Sequence, residues 1–307
     1  MTSAPRVAVG PVPHPLVREA VQRGGGVPVA AGEPADGLVW LAGQDIAGLR
    51  SVLAAVPAVR WVQLPSAGIE EFAGPDLFTD GRVWTCAKGA YGDVVAEHAL
   101  TLALAGLRQI PARVRARSWG GRDGVSLYGQ PVTILGGGGI TQALISLLAP
   151  FGARVTVVRR HARPVPGAER VDTTAALHDT LPGALVVFVA LALTPQTTGI
   201  IGAPELALMD PGAWLVNVAR GRHVVTDALV AALERGQIGG AALDVTDPEP
   251  LPAGHPLWQR PNCIITPHTA DTDDMVMPRL ADRVAVNVAR WAAGQPLDGQ
   301  IDPAAGY

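Results

Sequence analysis

Arg220, Glu249 and His268 each follow a short apolar run, WLVNVA, AALDV and NCIIT, between Trp214 and Ala270. A guanidinium, a carboxylate and an imidazole together can bind an anion, protonate it and tune the proton donor. If the three runs are parallel strands, their carboxyl ends share one sheet edge, where open α/β sheets bind ligands. Singly, each side chain also has a plain structural reading: Arg220 in an ion pair, Glu249 as a solvated loop charge, His268 as the end of a strand. Their joint placement is what points to a site.

The elements that must position them follow the rhythm of a parallel sheet. Val7 to Gly10, Leu38 to Leu41, Arg60 to Leu64 and Val83 to Cys86 read as short strands of a first α/β unit. From Val95 to Ile110, the residues Ala96, Ala99, Leu100, Ala103, Leu104 and Leu107 recur at helical spacing, so a long helix leads out of that unit. A second unit opens at Val132, where VTIL, VTVV, LVVFVAL, WLVNVA, AALDV and CIIT alternate with helical or loop segments, as βαβ units do. Pro278 to Ala293 reads as one more helix, and the tail QPLDGQIDPAAGY is polar and rich in Pro and Gly.

The loop after VTIL holds Gly136, Gly137, Gly138 and Gly139, and an apolar helix pattern follows with Ile140, Leu144, Leu147 and Leu148. Strand, glycine loop and helix come in the order a dinucleotide site needs. Glycine lets the backbone approach a pyrophosphate, and the N–H groups opening the helix receive its charge. Against the pattern G-x-G-x-x-G, Gly136 and Gly138 match, and Thr141 replaces the third glycine, implying a slightly wider helix–strand contact. About 20 residues past such a loop, an acidic residue binds the 2′-hydroxyl of NAD. Here Arg159 and Arg160 stand instead. Guanidinium donors without a competing carboxylate suit a 2′-phosphate, so NADP(H) is expected over NAD(H), which remains possible.

Composition narrows the partners. The 307 residues suffice for two domains, and 48% hydrophobic with 17% charged residues describes a folded chain. The net charge of −3, with no basic block interleaved with aromatics, gives no nucleic-acid surface. The longest apolar run, Ala184 to Leu193, is too short to cross a bilayer, and MTSAPRVAVGPVP does not read as a leader. Cys86 and Cys263 lack metal-ligand or disulfide spacing, so no metal is expected, and the setting expected is cytoplasmic.

The segments LGGGGI, LTPQTTGIIG, LMDPGAWLVNVARG, ALDVTDPEPLPAGHPLW and ITPHTA, in that order, resemble the D-isomer-specific 2-hydroxyacid dehydrogenases, as do SAGIEEF, the helix around VVAEHAL and the closing PAAGY. The resemblance implies two Rossmann-like, doubly wound α/β domains. The substrate domain would comprise residues 1–95 and 275–307, and the cofactor domain, 96–274, would be inserted into it. It implies Arg220 as substrate-binding arginine, His268 as acid/base and Glu249 as its partner, with the N–H groups of Ser66, Ala67 and Gly68 holding the substrate carboxylate. Asp244 would touch the nicotinamide carboxamide, while Gly139, Ile140, Leu191, Val218, Ala219 and Ala270 would also line the cofactor.

The implied activity is hydride transfer between NAD(P)(H) and a small 2-keto or D-2-hydroxy acid. The implied assembly is a homodimer joined through the cofactor domains, with hinges near Val95 and Asp274. Two other readings stay open: a non-catalytic NAD(P)-sensing protein on the same fold, and a formate or phosphite dehydrogenase. The formate enzymes pair the histidine with glutamine, which Glu249 disfavours. Tyr91, Trp119 and Trp291 are candidates for shaping the substrate pocket, Asp93 reads as a solvated helix-start acid, and His98 reads as a packing or interface residue.

Overall fold

The computed structural model describes residues 3–302, apart from 44, 70, 71, 73 and 74. Glu70 and Glu71 of SAGIEEF and the closing PAAGY therefore lie outside the described residues. The chain divides into two compact units, one built from both chain ends, up to Tyr91 and from Thr272, the other Gly92–Asp271.

The first unit runs β1 (Arg6–Gly10), α1 (Pro15–Arg23), β2 (Val27–Ala30), β3 (Gly37–Trp40), α2 (Ile46–Ala55), β4 (Trp61–Gln63) and β5 (Val83–Thr85). Its sheet is ordered β2-β1-β3-β4-β5, with every pair parallel. β3 and β4 are buried at each position, as strands covered on both faces must be. Pro15 opens α1 where a missing N–H does no harm, and Asp45 caps α2 by accepting from Gly48 N at 2.8 Å.

The second unit runs α3 (Gly92–Leu107), α4 (Ile110–Arg115), β6 (Pro131–Leu135), α5 (Gly139–Leu148), β7 (Arg154–Arg159), β8 (Arg170–Thr173), β9 (Val186–Val189), α6 (Ala203–Leu208), β10 (Trp214–Asn217), α7 (Thr226–Glu234), β11 (Gly240–Leu243) and β12 (Cys263–Ile265). Its sheet is parallel throughout, ordered β12-β11-β10-β9-β6-β7-β8. From β6 the chain adds β7 and β8 on one side, then crosses back to place β9 on the other. The crevice at the carboxyl ends of β6 and β9 is therefore the switch point, where ligands of such sheets sit. Leu215, Val187, Leu243, Leu229 and Leu206 belong to the core cluster that joins the sheet to its helices.

After this unit the chain returns to the first through α8 (Asp273–Ala292). The helix begins ahead of the expected Pro278: Asp273 and Asp274 occupy its first turn, where carboxylates suit the helix dipole, and Pro278 is carried inside it. Buried Asn287 of α8 donates from Nδ2 to Gln63 Oε1 and to the Asp298 carbonyl, both at 3.0 Å. Trp61 Nε1 donates to Thr85 Oγ1 at 2.8 Å, and the Trp61 ring stacks on Trp291 with centroids 6.1 Å apart. This buried polar network ties the C-terminal helix to β4 and β5, which gives both chain ends one core.

Candidate active site

β10, β11 and β12 are neighbours in parallel register, with Trp214 opposite Gly240 and Ala241 opposite Cys263. Arg220, Glu249 and His268 follow their carboxyl ends in that order. His268 Nδ1 lies 2.6 Å from Glu249 Oε1, with the two side chains 43% and 41% exposed. A carboxylate only accepts, so Nδ1 carries the hydrogen of this bond, leaving Nε2 for a second, transferable proton. Exposed pairs of this kind add about 0–1 kcal/mol to stability. The pair's effect is to orient the ring. Glu249 Oε2 in turn accepts from Thr246 N at 3.2 Å, which fixes the carboxylate to its own loop.

The Arg220 backbone is held from several sides. Its carbonyl accepts from Asn217 Nδ2 at 2.9 Å and lies 3.0 Å from His223 Nδ1, while Asn217 Oδ1 accepts from Ala219 N at 3.1 Å. Asn217 and His223 are both buried. Gly221 makes the next step possible: a Cβ there would lie 1.9 Å from the Thr246 carbonyl oxygen. The arginine loop thus packs directly on the loop that holds Glu249, and no larger residue fits between them.

Asp244, just beyond β11, is the hub of the His268 loop. Its side chain is 1% exposed. Oδ1 accepts from Thr266 Oγ1 at 2.6 Å and Thr269 N at 2.9 Å, Oδ2 accepts from Ala270 N at 3.0 Å, and the Asp244 carbonyl accepts from His268 N at 2.8 Å. These bonds hold His268 at a φ of 54°, a left-handed conformation uncommon for a residue with a side chain. Burial alone would raise the Asp244 pKa. The donors, His98, Thr266, Thr269 and Ala270, outweigh it and hold the carboxyl below its ordinary range.

Two residues beyond the expected set belong to this neighbourhood. His98, read from the sequence as a packing or interface residue, brings Nε2 to 3.0 Å from Thr266 Oγ1. Asp271 is pushed up mainly by burial. The charges of His268 and Arg220 pull it down, and Asp244 adds to the rise. The electrostatics thus couple Asp271 to both His268 and Arg220. Its only sequence signal is its position in HTAD, directly after the histidine.

The glycine loop lies at the switch point. Gly136 has a φ of 126°, and a Cβ there would lie 2.2 Å from the Ala190 carbonyl oxygen, so only glycine fits between the ends of β6 and β9. Gly138 is the N-cap of α5 with no side-chain cap, and the space at its Cβ position is open. Uncapped N–H groups facing open space suit a pyrophosphate, so the cradle fits a dinucleotide. Arg159, the last residue of β7, leans over the loop, since a Cβ on Gly137 would lie 2.8 Å from its Nε. Arg160 is exposed. Leu191 follows β9, Val218 and Ala219 follow β10, and Ala270 follows His268, the last three buried. Thr141 is buried with its hydroxyl lacking a partner.

Ser66, Ala67 and Gly68 lie in the first unit, after β4. Ser66 Oγ donates to the Gly68 carbonyl at 2.6 Å, and Ala87 N donates to the Ser66 carbonyl at 2.8 Å. Of the candidate pocket residues, Tyr91 donates from Oη to the Pro65 carbonyl and so anchors this loop, and Trp291 stacks on Trp61. Trp119 is 95% exposed. Asp93 is exposed in the first turn of α3. A cavity of about 360 Å³ between Pro11–His14 and Leu41–Ala42 lies at the carboxyl ends of β1 and β3, the switch point of the first sheet.

Residues 98–270, more than half of the chain, match the family model described as D-isomer specific 2-hydroxyacid dehydrogenase, NAD binding domain. The chain belongs to the D-isomer specific 2-hydroxyacid dehydrogenase family. It is 38% identical over 255 residues to an uncharacterized protein of Corynebacterium melassecola, covering 81% of this chain and 84% of that one. It is 37% identical over 177 residues to glyoxylate/hydroxypyruvate reductase A of Serratia proteamaculans, covering 57% of this chain and 56% of the reductase. Among solved structures, a family member from Xanthobacter autotrophicus Py2 in complex with NADPH and MES superposes with a TM-score of 0.82 at 29% identity, each chain covered completely. Two Rossmann-like units with one inserted into the other are thus the family's fold.

In this family member, the ionised Asp244 makes a pH-dependent contribution to stability. Its folded pKa is depressed, so the contribution is complete above the ordinary carboxylate range near 3.9 and is lost as pH falls through the folded value. Asp244→Asn removes it, and urea unfolding at pH 7 is expected to show a loss of about 3 kcal/mol. The gap to wild type closes as pH falls below that range. A gap independent of pH overturns the assignment.

Proposed function

We propose that the chain is an NAD(P)-dependent 2-keto acid reductase forming D-2-hydroxy acids, and that its substrates are small, as glyoxylate and hydroxypyruvate are. The observation that carries this reading is the hydrogen-bonded His268–Glu249 pair, next in the sheet to the braced Arg220 loop. A bound nicotinamide supplies the hydride for the keto carbon. That addition leaves negative charge on the keto oxygen, and His268 as imidazolium gives this oxygen the proton from Nε2. Glu249 holds the ring through Nδ1, which aims Nε2 away from the pair. Arg220 bridges the substrate carboxylate and keto oxygen and stabilises the charge that develops there. The N–H groups of Ser66, Ala67 and Gly68 are assigned the substrate carboxylate.

The cofactor residues proposed are Gly136, Gly138, Gly139, Ile140, Leu191, Val218, Ala219, Asp244 and Ala270, with Arg159 and Arg160 taking the 2′-phosphate of NADP(H). The position of Arg159 over Gly137 and the NADPH held by the Xanthobacter protein support that preference. Asp244 has both oxygens engaged already, so any bond to the carboxamide would add to its hold on the His268 loop. The assembly proposed is a homodimer joined through the second unit. Val114 on α4 and Trp119, Val125 and Tyr128 between α4 and β6 are exposed apolar or aromatic side chains, which a second copy would cover. Cys86 and Cys263, buried and outside any disulfide, fit a reducing cytoplasm.

Stopped-flow oxidation of NADPH with glyoxylate, hydroxypyruvate, pyruvate and phenylpyruvate tests the activity. His268→Asn is expected to lower kcat by about 10²–10⁴-fold while cofactor binding persists. Tight cofactor binding without turnover of any keto acid would favour a sensor. In parallel kinetics with NADPH and NADH, Arg159→Ala is expected to cost NADPH alone about 10–100-fold in kcat/KM, and a wild-type preference for NADH overturns the cofactor choice. Light scattering is expected to give the mass of two chains, and a monomer at micromolar concentration rejects the dimer.

A further inference from the structure

His98 lies on α3, remote in sequence from every strand end, yet its ring reaches the loop that carries His268. Its Nε2 is 3.0 Å from Thr266 Oγ1 and 3.3 Å from Asp244 Oδ1. Thr266 has one hydroxyl proton, and the 2.6 Å bond to Asp244 Oδ1 uses it. The hydroxyl oxygen is therefore an acceptor toward His98, and an ionised carboxylate accepts only. Nε2 faces two acceptors and so carries a hydrogen. The structure fixes His98 as a donor, which a packing role does not require. Its helix neighbours Val94, Val95, Ala99 and Leu102 are apolar and buried, so an aliphatic side chain would pack there equally well.

The carboxylate that receives this bond also holds the N–H groups of Thr269 and Ala270, the two residues after His268. We propose that His98 is a positioning residue for proton transfer. Its Nε2–H orients the Thr266–Asp244 pair, and that pair fixes the left-handed backbone from which the His268 ring reaches Glu249. A proton donor displaced by a fraction of an ångström transfers less well, so the effect falls on turnover more than on cofactor affinity. The proposal rests on His268 being the proton donor.

The test uses His98→Leu, which keeps volume and removes the donor, and His98→Gln, whose amide nitrogen donates from a similar place. In His98→Leu, kcat for keto-acid reduction is expected to fall at least about tenfold with the KM for NADPH within about twofold. Hydrogen exchange at the Thr269 and Ala270 amides is expected to accelerate about tenfold while the rest of the second unit keeps its protection. His98→Gln restores both. Wild-type kinetics and exchange in His98→Leu, equal damage in both variants, or acceleration spread through the whole unit would each overturn the proposal. If the wild-type protein reduces no keto acid, the catalytic reading falls, and the exchange comparison still decides whether His98 holds the loop.

Discussion

Every strand pair in both sheets is parallel, and the site depends on that constraint. A parallel strand needs a crossover to reach its neighbour, so each strand leaves the sheet at the same edge and the connecting loops collect there. The central strands are buried on both faces and have no room for unpaired polar groups. Chemistry is therefore confined to the residues at which strands end. In the second unit those residues form a row: Asn217 closes β10, Asp244 follows β11 and Thr266 follows β12. They are joined across the sheet by Asp244 N to the Asn217 carbonyl at 3.0 Å and Thr266 Oγ1 to Asp244 Oδ1 at 2.6 Å. Arg220, Glu249 and His268 stand on the loops that this row anchors.

Much of that arrangement is legible in the sequence because it is written in apolar runs. VTIL, VTVV and WLVNVA are long enough and apolar enough to be buried strands, and their order fixes the parallel sheet. The strands that escape notice are β2 and β8, whose sequences VPVA and RVDT carry a proline or charged residues. Both are edge strands, where half of the backbone needs no partner and no continuous apolar pattern is required. The early start of α8 is hidden for a related reason. Pro278 suggests a helix beginning, yet it costs one backbone bond near the end, and Asp273 and Asp274 favour the added turn.

At the site, the His268–Glu249 pair lies on motifs with fixed neighbours in sequence, so it can be read in advance. His98 and Asp271 cannot. The partners of His98 come from segments far along the chain, and only the packing of α3 on the sheet brings them within hydrogen-bonding distance. Asp271 looks like an ordinary loop acid until its partial burial and charged neighbours are known. Long-range contacts and burial are properties of the fold, which no local pattern of residues encodes.

Three carboxylates crowd two cations at this edge, and their environments give them different work. Asp244 is the most deeply buried, yet donors on both oxygens keep it ionised, so its charge is committed to holding backbone. Glu249 is exposed and makes its short bond to a single ring nitrogen, so its charge is committed to orienting the imidazole. Asp271 is partly buried, and desolvation holds its carboxyl above the ordinary range although the charges of His268 and Arg220 oppose the rise. A third full negative charge beside Arg220 and His268 would compete with an anionic substrate for both. The raised Asp271 pKa acts in the direction that lessens that competition, which suits the substrate-binding role proposed for the arginine and the histidine.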